Sequence, residues 1–181
     1  MKSPSDYDAA YESLPRVTAV LKSVGIIDTE WMDEHARDRG SAAHRACELH
    51  DLGELDEASV HPEVAPYLAA WRRFRNECNP TIEAVEMRVL GAGYRGTLDR
   101  VLRMSGNRMV ADIKTGPPAP WHALQLAAYS AALDKSTPWR LGVHLKPDGS
   151  YALKDYLPQT YAADIATFTA ALRVAQWKAS K

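Results

Sequence analysis

The spacing of hydrophobic residues in the first part of the chain favours helices. Val17, Val20, Leu21 and Val24 follow the i, i+3, i+4, i+7 pattern of one helical face, and the pattern stops at Gly25. Residues 1–15 contain few apolar side chains, so we expect a polar lead-in there. Three more helical patterns follow: a helix capped by Asp28 or Thr29 that carries Trp31, Met32 and His35, a helix over residues 42–52 after Gly40-Ser41, and a helix that begins at Pro62 and ends at Asn79-Pro80.

From Thr81 the hydrophobic period changes to two, which is typical of β-strands. The predicted elements are a strand over residues 82–90, a turn at Gly91-Ala92-Gly93, a hairpin around Ser105-Gly106-Asn107, a helix over 121–133, a second hairpin with arms 139–145 and 151–156, and a closing helix over 161–179. This order predicts an α/β fold of the α+β mixed kind, with a central mixed β-sheet flanked by helices. We expect one domain over 1–181, made of an N-terminal helical segment (1–80) and a sheet core (81–181).

The first hairpin carries one acid on each arm. If its loop is Ser105-Gly106, Asp99 lies directly opposite Asp112, whereas a Gly106-Asn107 loop makes them diagonal neighbours. Either register puts both carboxylates on one face, within about 5–8 Å at Cβ. Lys114 is two residues past Asp112 and projects from the same face. Because two converging acids repel unless a cation lies between them, the pattern predicts a divalent metal with oxygen ligands. The alternative is a surface pair bridged by Arg100 or Lys114.

Composition narrows the possible functions. The chain of 181 residues has a formal net charge of −1, which argues against a nonspecific DNA coat protein but allows an enzyme with a local basic groove. Cys47 and Cys78 are far apart, so we expect reduced thiols rather than a disulfide or an iron–sulfur cluster. No apolar run approaches the roughly 18–20 residues that cross a membrane, and the polar, acidic start is unlike a signal peptide. We therefore expect a soluble, cytoplasmic protein without a membrane partner.

Four motifs in order resemble one nuclease family. Gly40-x-x-x-His44, Asp99, Asp112-Ile113-Lys114 and Gln125-x-x-x-Tyr129 resemble the PD-(D/E)xK nuclease superfamily, and more narrowly its RecB-like exonuclease branch, which includes small phage-type exonucleases. The opening at residues 14–18 also looks like small phage members. The resemblance implies a restriction-endonuclease-like core. It further implies a metal-dependent DNA exonuclease that acts on single strands or duplex ends, in recombination, repair or phage DNA processing.

The resemblance also implies residue roles. Asp99 and Asp112 would ligate Mg²⁺ or Mn²⁺, with the backbone carbonyl of Ile113 as another oxygen ligand and His44 as a nitrogen ligand that suits Mn²⁺ as well as Mg²⁺. Lys114 would orient or activate the attacking water. Gln125 and Tyr129 would hold the DNA backbone or support the active-site strand, or else are ordinary polar residues at the edge of the core. His44 could instead form a surface pair with Glu48.

Glu86 stands where many relatives carry a glutamate, and it would contact a second metal or only the lysine. The arginines that we assign to DNA binding are Arg72, Arg73, Arg75 and Arg95, although the first three could simply be a solvated helix face.

The expected partners follow from the same resemblance. They are DNA and, among proteins, a recombinase, a single-strand-binding protein or a helicase on a separate polypeptide. Some relatives hold an iron–sulfur cluster on four cysteines, which this chain does not have. Two other functions remain open: a structure- or sequence-selective DNA endonuclease, and a catalytically silent DNA-binding subunit.

Overall fold

A computed structural model describes residues 4–28, 33–134, 137 and 139–181. Helices come first, followed by three strands, a helix, two strands and a last helix, which is the order that the sequence predicts. The helices are α1 (Pro4–Glu12), α2 (Val17–Ser23), α3 (Glu34–Leu52), α4 (Ala65–Cys78), α5 (Trp121–Leu133) and α6 (Pro158–Ala179), and a short 3₁₀ helix spans Glu57–Ser59. The strands are β1 (Thr81–Gly91), β2 (Tyr94–Met104), β3 (Asn107–Lys114), β4 (Trp139–Leu145) and β5 (Tyr151–Tyr156).

The five strands form one mixed sheet in the order β1-β2-β3-β4-β5. The pairs β1/β2, β2/β3 and β4/β5 are antiparallel, whereas β3 and β4 are parallel because α5 forms the crossover between them. With six helices around the sheet in the described residues, this is an α+β fold with a central mixed sheet, which confirms the predicted fold class.

Two hydrophobic clusters hold the helices to the two faces of the sheet. On one face, α2, α5 and α6 pack against Val101 and Val110. On the other face, α3 and α4 pack against Leu102 and Ala111. Neighbouring strand residues therefore serve opposite clusters, as the alternation of a pleated strand requires. Both faces are covered, so the ends of the strands and the loops that follow them are left to carry polar chemistry.

Three predictions about the N-terminal part are wrong. Residues 1–15 are not simply a lead-in, because α1 forms there and its Tyr11 is buried. Gly40-Ser41 does not separate two helices, since α3 runs through it from an N-cap at Asp33. Helix α4 begins at Ala65 with Pro66 in its first turn, not at Pro62. Part of the predicted cap and apolar face, Thr29, Trp31 and Met32, lies outside the described residues.

The remaining boundaries agree closely with expectation. Helix α5 and strands β4 and β5 begin and end at the predicted residues, and α4 ends before Asn79, which adopts a left-handed conformation. Cys47 and Cys78 are both free. Across the part of the chain that the structure describes, no helix combines the length and apolarity needed to cross a bilayer.

Candidate active site

The hairpin of β2 and β3 places the two acids opposite each other. Its loop residues Ser105 and Gly106 have φ values of 50° and 79°, the left-handed pair that a two-residue turn needs. The strands pair Arg100 with Ala111, and the same register sets Asp99 opposite Asp112. This is the first of the two predicted registers. The Oδ2 atom of Asp99 accepts a hydrogen bond from the backbone N–H of Ile113 at 2.7 Å, so the Asp99 carboxylate reaches across to β3.

Helix α3 brings His44 to this carboxylate. The Nδ1 atom of His44 lies 3.3 Å from Oδ2 of Asp99. One turn earlier, Gly40 faces the end of β3, and a Cβ at that position would lie 3.1 Å from Oγ1 of Thr115. The glycine therefore allows α3 to approach the strand end closely, which sets His44 beside the acid. Glu48 is paired with Arg45 at 2.7 Å, not with His44.

Glu86 joins the site because of an irregularity in β1. The register between β1 and β2 shifts between Ile82 and Ala84, and the pairs on either side of Glu86 then set it opposite Asp99. Glu86 has a φ of 47°, a conformation that costs a non-glycine residue about 1–2 kcal/mol. Ligand atoms of His44, Glu86 and Asp99 all lie within 4.8 Å of one another. One nitrogen and two carboxylates at this spacing form a donor set that suits Mn²⁺ or Mg²⁺.

Asp112 and Lys114 complete the charged centre. Lys114 Nζ lies 2.5 Å from Oδ2 of Asp112 and donates a hydrogen bond to Oε1 of Gln125 at 3.1 Å. Burial raises the pKa of Asp112, and the lysine opposes that rise. The Oδ2 atom is buried, and its close partner is the Lys114 ammonium. A buried carboxylate that is already neutralised by one cationic group can also ligate a metal ion through its remaining lone pairs.

Glu86 is also perturbed electrostatically. Burial, followed by the nearby Asp99 carboxylate, raises the pKa of Glu86 to about 7, while the Arg100 guanidinium partly offsets these effects. Crowded carboxylates of this kind are common at functional sites, because a bound cation relieves their repulsion. The donor set and its electrostatics therefore agree with a divalent metal site.

Helix α5 supports the site through Gln125 and Tyr129. Nε2 of Gln125 donates to the Tyr129 hydroxyl at 3.2 Å, so Lys114, Gln125 and Tyr129 form one chain of contacts. The Tyr129 ring lies so close to β2 that a Cβ on Gly96 would be 2.4 Å from its Cε1 atom. From the other side, the Tyr11 hydroxyl donates to the Gly96 carbonyl at 2.9 Å. The backbone that leads to Asp99 is thus held between two tyrosines.

Two clefts of about 450 Å³ each meet at Glu86. The first, which we call the α3 cleft, is lined by Gly40, Ser41, His44, Arg45, Glu48 and Glu86. The second, which we call the basic cleft, includes the side chains of Tyr11, Thr18, Arg16, Arg88, Arg95 and Glu86. Of the arginines in the basic cleft, the sequence prediction included only Arg95. Arg16 and Arg88 were missed because α1, α2 and β1 come together only in the tertiary structure.

The predicted basic cluster on α4 has acidic partners. Arg72 is paired with Glu57 and Arg75 with Asp51, and Arg73 lies 2.7 Å from Glu77. None of the three arginines lines either cleft at Glu86. Their role in DNA binding stays a prediction.

The chain was also compared with solved structures, curated proteins and family models. A search of solved structures finds an alkaline exonuclease (LHK-Exo) from Laribacter hongkongensis, with 15% identity, a TM-score of 0.45 and coverage of 97% of this chain and 98% of that one. A structure of LHK-Exo with dAMP gives 17% identity and the same TM-score and coverage, and SSO0001 gives 17% identity, a TM-score of 0.33 and coverage of 71% and 73%. A search of curated proteins finds no sequence match. A family model for the PD-(D/E)XK nuclease superfamily matches residues 28–176, and the chain therefore belongs to this superfamily of nucleases.

Proposed function

We propose that the protein is a metal-dependent DNA exonuclease that hydrolyses phosphodiester bonds on single strands or at duplex ends. The observation that carries the proposal is the convergence of His44, Glu86 and Asp99 beside the Asp112–Lys114 pair. Superfamily membership supports nuclease chemistry. The choice of an exonuclease rests on the motif set that resembles the RecB-like branch.

The residues that would hold Mg²⁺ or Mn²⁺ are Asp99, Asp112, His44, Glu86 and the Ile113 carbonyl. A bound metal of this kind polarises a phosphoryl oxygen and acidifies water. Lys114 would place its ammonium beside the attacking water and the negative charge that develops on the phosphate. Its contacts with Asp112 and Gln125 already fix the direction of the side chain.

The basic cleft supplies a path for the DNA backbone. Arg16, Arg88 and Arg95 line it together with Glu86. A strand bound along these arginines would present a phosphate to the candidate metal site. Alanine substitution of Arg16 should weaken DNA binding for all sequences and reduce the slope of log affinity against log salt by about one. Alanine substitution of Arg73 is the comparison that tests the predicted α4 surface.

The test of the catalytic residues is a nuclease assay on end-labelled DNA with Mg²⁺ or Mn²⁺. We expect EDTA to abolish cleavage, and Asp112→Asn and Lys114→Ala to reduce the rate by about 100-fold or more while DNA remains bound. The matched controls are the exposed residues Asp155 and Lys146, whose substitutions Asp155→Asn and Lys146→Ala should retain full activity. Undiminished cleavage by either active-site variant would contradict the roles assigned here.

Circular single-stranded DNA separates the exonuclease from an endonuclease. An exonuclease needs an end and leaves the circle intact, whereas an endonuclease converts it to linear fragments. A protein that binds DNA but cuts none of the linear, duplex or circular substrates with either metal would instead be a catalytically silent subunit.

The biological setting completes the proposal. We propose a single nuclease domain over residues 1–181 that works in the cytoplasm, in recombination, repair or phage DNA processing. Its proposed protein partners are a recombinase, a single-strand-binding protein or a separate helicase. Pull-down with DNA present and absent would show whether any of these proteins binds directly.

A further inference from the structure

Arg100 follows Asp99 in the chain but has a different environment. Its side chain is completely buried, on the face of the sheet that α3 and α4 cover, with its guanidinium 5.3 Å from the centre of the Trp71 ring. A fully buried arginine needs acidic or carbonyl partners, because burial strips the charge of its water. Its partners show which elements it connects.

The first partner ties Arg100 to α3. Nε of Arg100 donates to Oδ2 of Asp51 at 2.7 Å. The Asp51 side chain is itself completely buried, and it also accepts hydrogen bonds from Arg75 and from Nε1 of Trp71. Asp51 is therefore a fixed anchor point. It lies seven residues after His44, about two turns further along the same helix.

The second set of partners belongs to the candidate metal site. Nη1 of Arg100 donates to the Asp99 carbonyl at 2.6 Å and to Oε1 of Glu86 at 3.3 Å. Nη2 has no acceptor among the described residues, so the guanidinium can take a second carboxylate oxygen. A contact with the guanidinium would stabilise Glu86 in a position that is otherwise unfavourable, because its backbone is in the left-handed region and Asp99 repels its carboxylate.

We propose that Arg100 is a positioning residue that holds Glu86 at the metal site and ties it to the helix that carries His44. One side chain thereby fixes the relative positions of three elements, α3, β1 and β2, each of which supplies a candidate ligand. A guanidinium suits this role because its planar fork directs separate nitrogens to Asp51 and Glu86, whereas an ammonium has all its donors on one atom. The proposal rests on the metal-dependent function proposed above.

The test measures Mn²⁺ binding without DNA, by isothermal titration calorimetry of the full chain. Arg100→Lys keeps the charge but loses the fork, and we expect it to weaken Mn²⁺ binding by about 10- to 100-fold. Arg103→Lys, on the same strand in an exposed pair with Glu83, is the matched control and should bind Mn²⁺ as the parent does. Urea unfolding of each variant checks that the binding experiment uses folded protein.

A double-mutant cycle shows whether Arg100 acts through Glu86. Glu86→Gln alone should weaken Mn²⁺ binding, and adding Arg100→Lys should then change the affinity by no more than about twofold. A merely structural role predicts instead that the two losses multiply. If Arg100→Lys does not fold, Asp51→Asn loosens the same guanidinium from its other end and enters the same cycle.

The outcomes separate this inference from the function on which it rests. Parental Mn²⁺ affinity in folded Arg100→Lys, or multiplying losses in the cycle, would overturn the positioning role alone. Failure of the parent protein to bind Mn²⁺ at all would overturn the metal-dependent function first.

Discussion

The close contact between Gly96 and Tyr129 gives the most quantitative prediction. In Gly96→Ala, the new Cβ would lie 2.4 Å from Cε1 and 2.9 Å from Cδ1 of the tyrosine ring. Carbon atoms attract best at about 3.5–4.0 Å, so the ring would have to retreat by about 1 Å. The ring cannot do so freely, because its hydroxyl is hydrogen-bonded to Gln125. The strand is also held, by the hydrogen bond from Tyr11 to the Gly96 carbonyl.

Two opposing effects set the size of the change. Overpacking a buried contact costs about 1–3 kcal/mol. Gly96 does not have a positive φ, so alanine should also gain about 0.4–1 kcal/mol by restricting the unfolded chain. The clash is the larger effect, and we expect Gly96→Ala to lower the free energy of unfolding. Each kcal/mol lost should reduce the melting temperature by about 2–4 °C.

Urea unfolding followed by tryptophan fluorescence provides the assay, since the chain has five tryptophans. The decisive comparison introduces Gly96→Ala into a Tyr129→Ala background, where the clash is absent and the substitution should become neutral or slightly stabilising. Gly116→Ala is the matched control, because a Cβ at Gly116 has nothing within 4 Å. An equal penalty with and without the Tyr129 ring would refute the reasoning.

Three further predictions concern charge. Because the pKa of Glu86 rises from 4.5 to about 7, the folded metal-free protein keeps a proton that the unfolded chain releases, so the free energy of unfolding should fall as pH increases between these values. Glu86→Gln should remove that contribution, and an unchanged pH slope in urea titrations would contradict it. In the same assay, Asp51→Ala should lower the free energy of unfolding by about 3–5 kcal/mol, since it leaves two arginines without their buried partner. A decrease of less than about 1 kcal/mol would argue against the network. Mn²⁺ at about 100 times its dissociation constant should raise the free energy of unfolding by about 2.7 kcal/mol, and the melting temperature by about 5–10 °C. The same shift in Asp99→Asn would place the metal elsewhere.

Local signals explain which parts of the fold were predictable. Helix α5 and the second hairpin have clear periodicity and a Pro147-Asp148-Gly149 turn, and their boundaries are as predicted. Gly40 was misread as a helix break, because in sequence a glycine that ends a helix and one that permits close packing look alike. Its contact with Thr115 exists only after α3 docks against β3.

The candidate site likewise has parts that the sequence predicts and parts that it does not. Asp99 lies opposite Asp112 because of one turn and the alternation of the strands, and both can be identified in the sequence. The position of Glu86 beside these two acids depends on a register shift in β1, which no local residue pattern predicts. The roles of Asp51 and Arg100 were not foreseen, because their partners come from four separate elements.

The acidic residues of α1 change what binding in the basic cleft would involve. Asp8 lies 2.9 Å from Arg88, and Glu12 lies 2.5 Å from Arg95. These carboxylates act as tethered counterions, which a DNA phosphate would have to replace. The salt dependence of binding reflects the cations that DNA releases when arginines neutralise its phosphates. A carboxylate that loses its arginine partner to a phosphate attracts cations itself, and this uptake offsets part of that release. DNA affinity in this cleft would therefore depend less steeply on salt than its number of arginines suggests, and removing the two carboxylates would steepen that dependence.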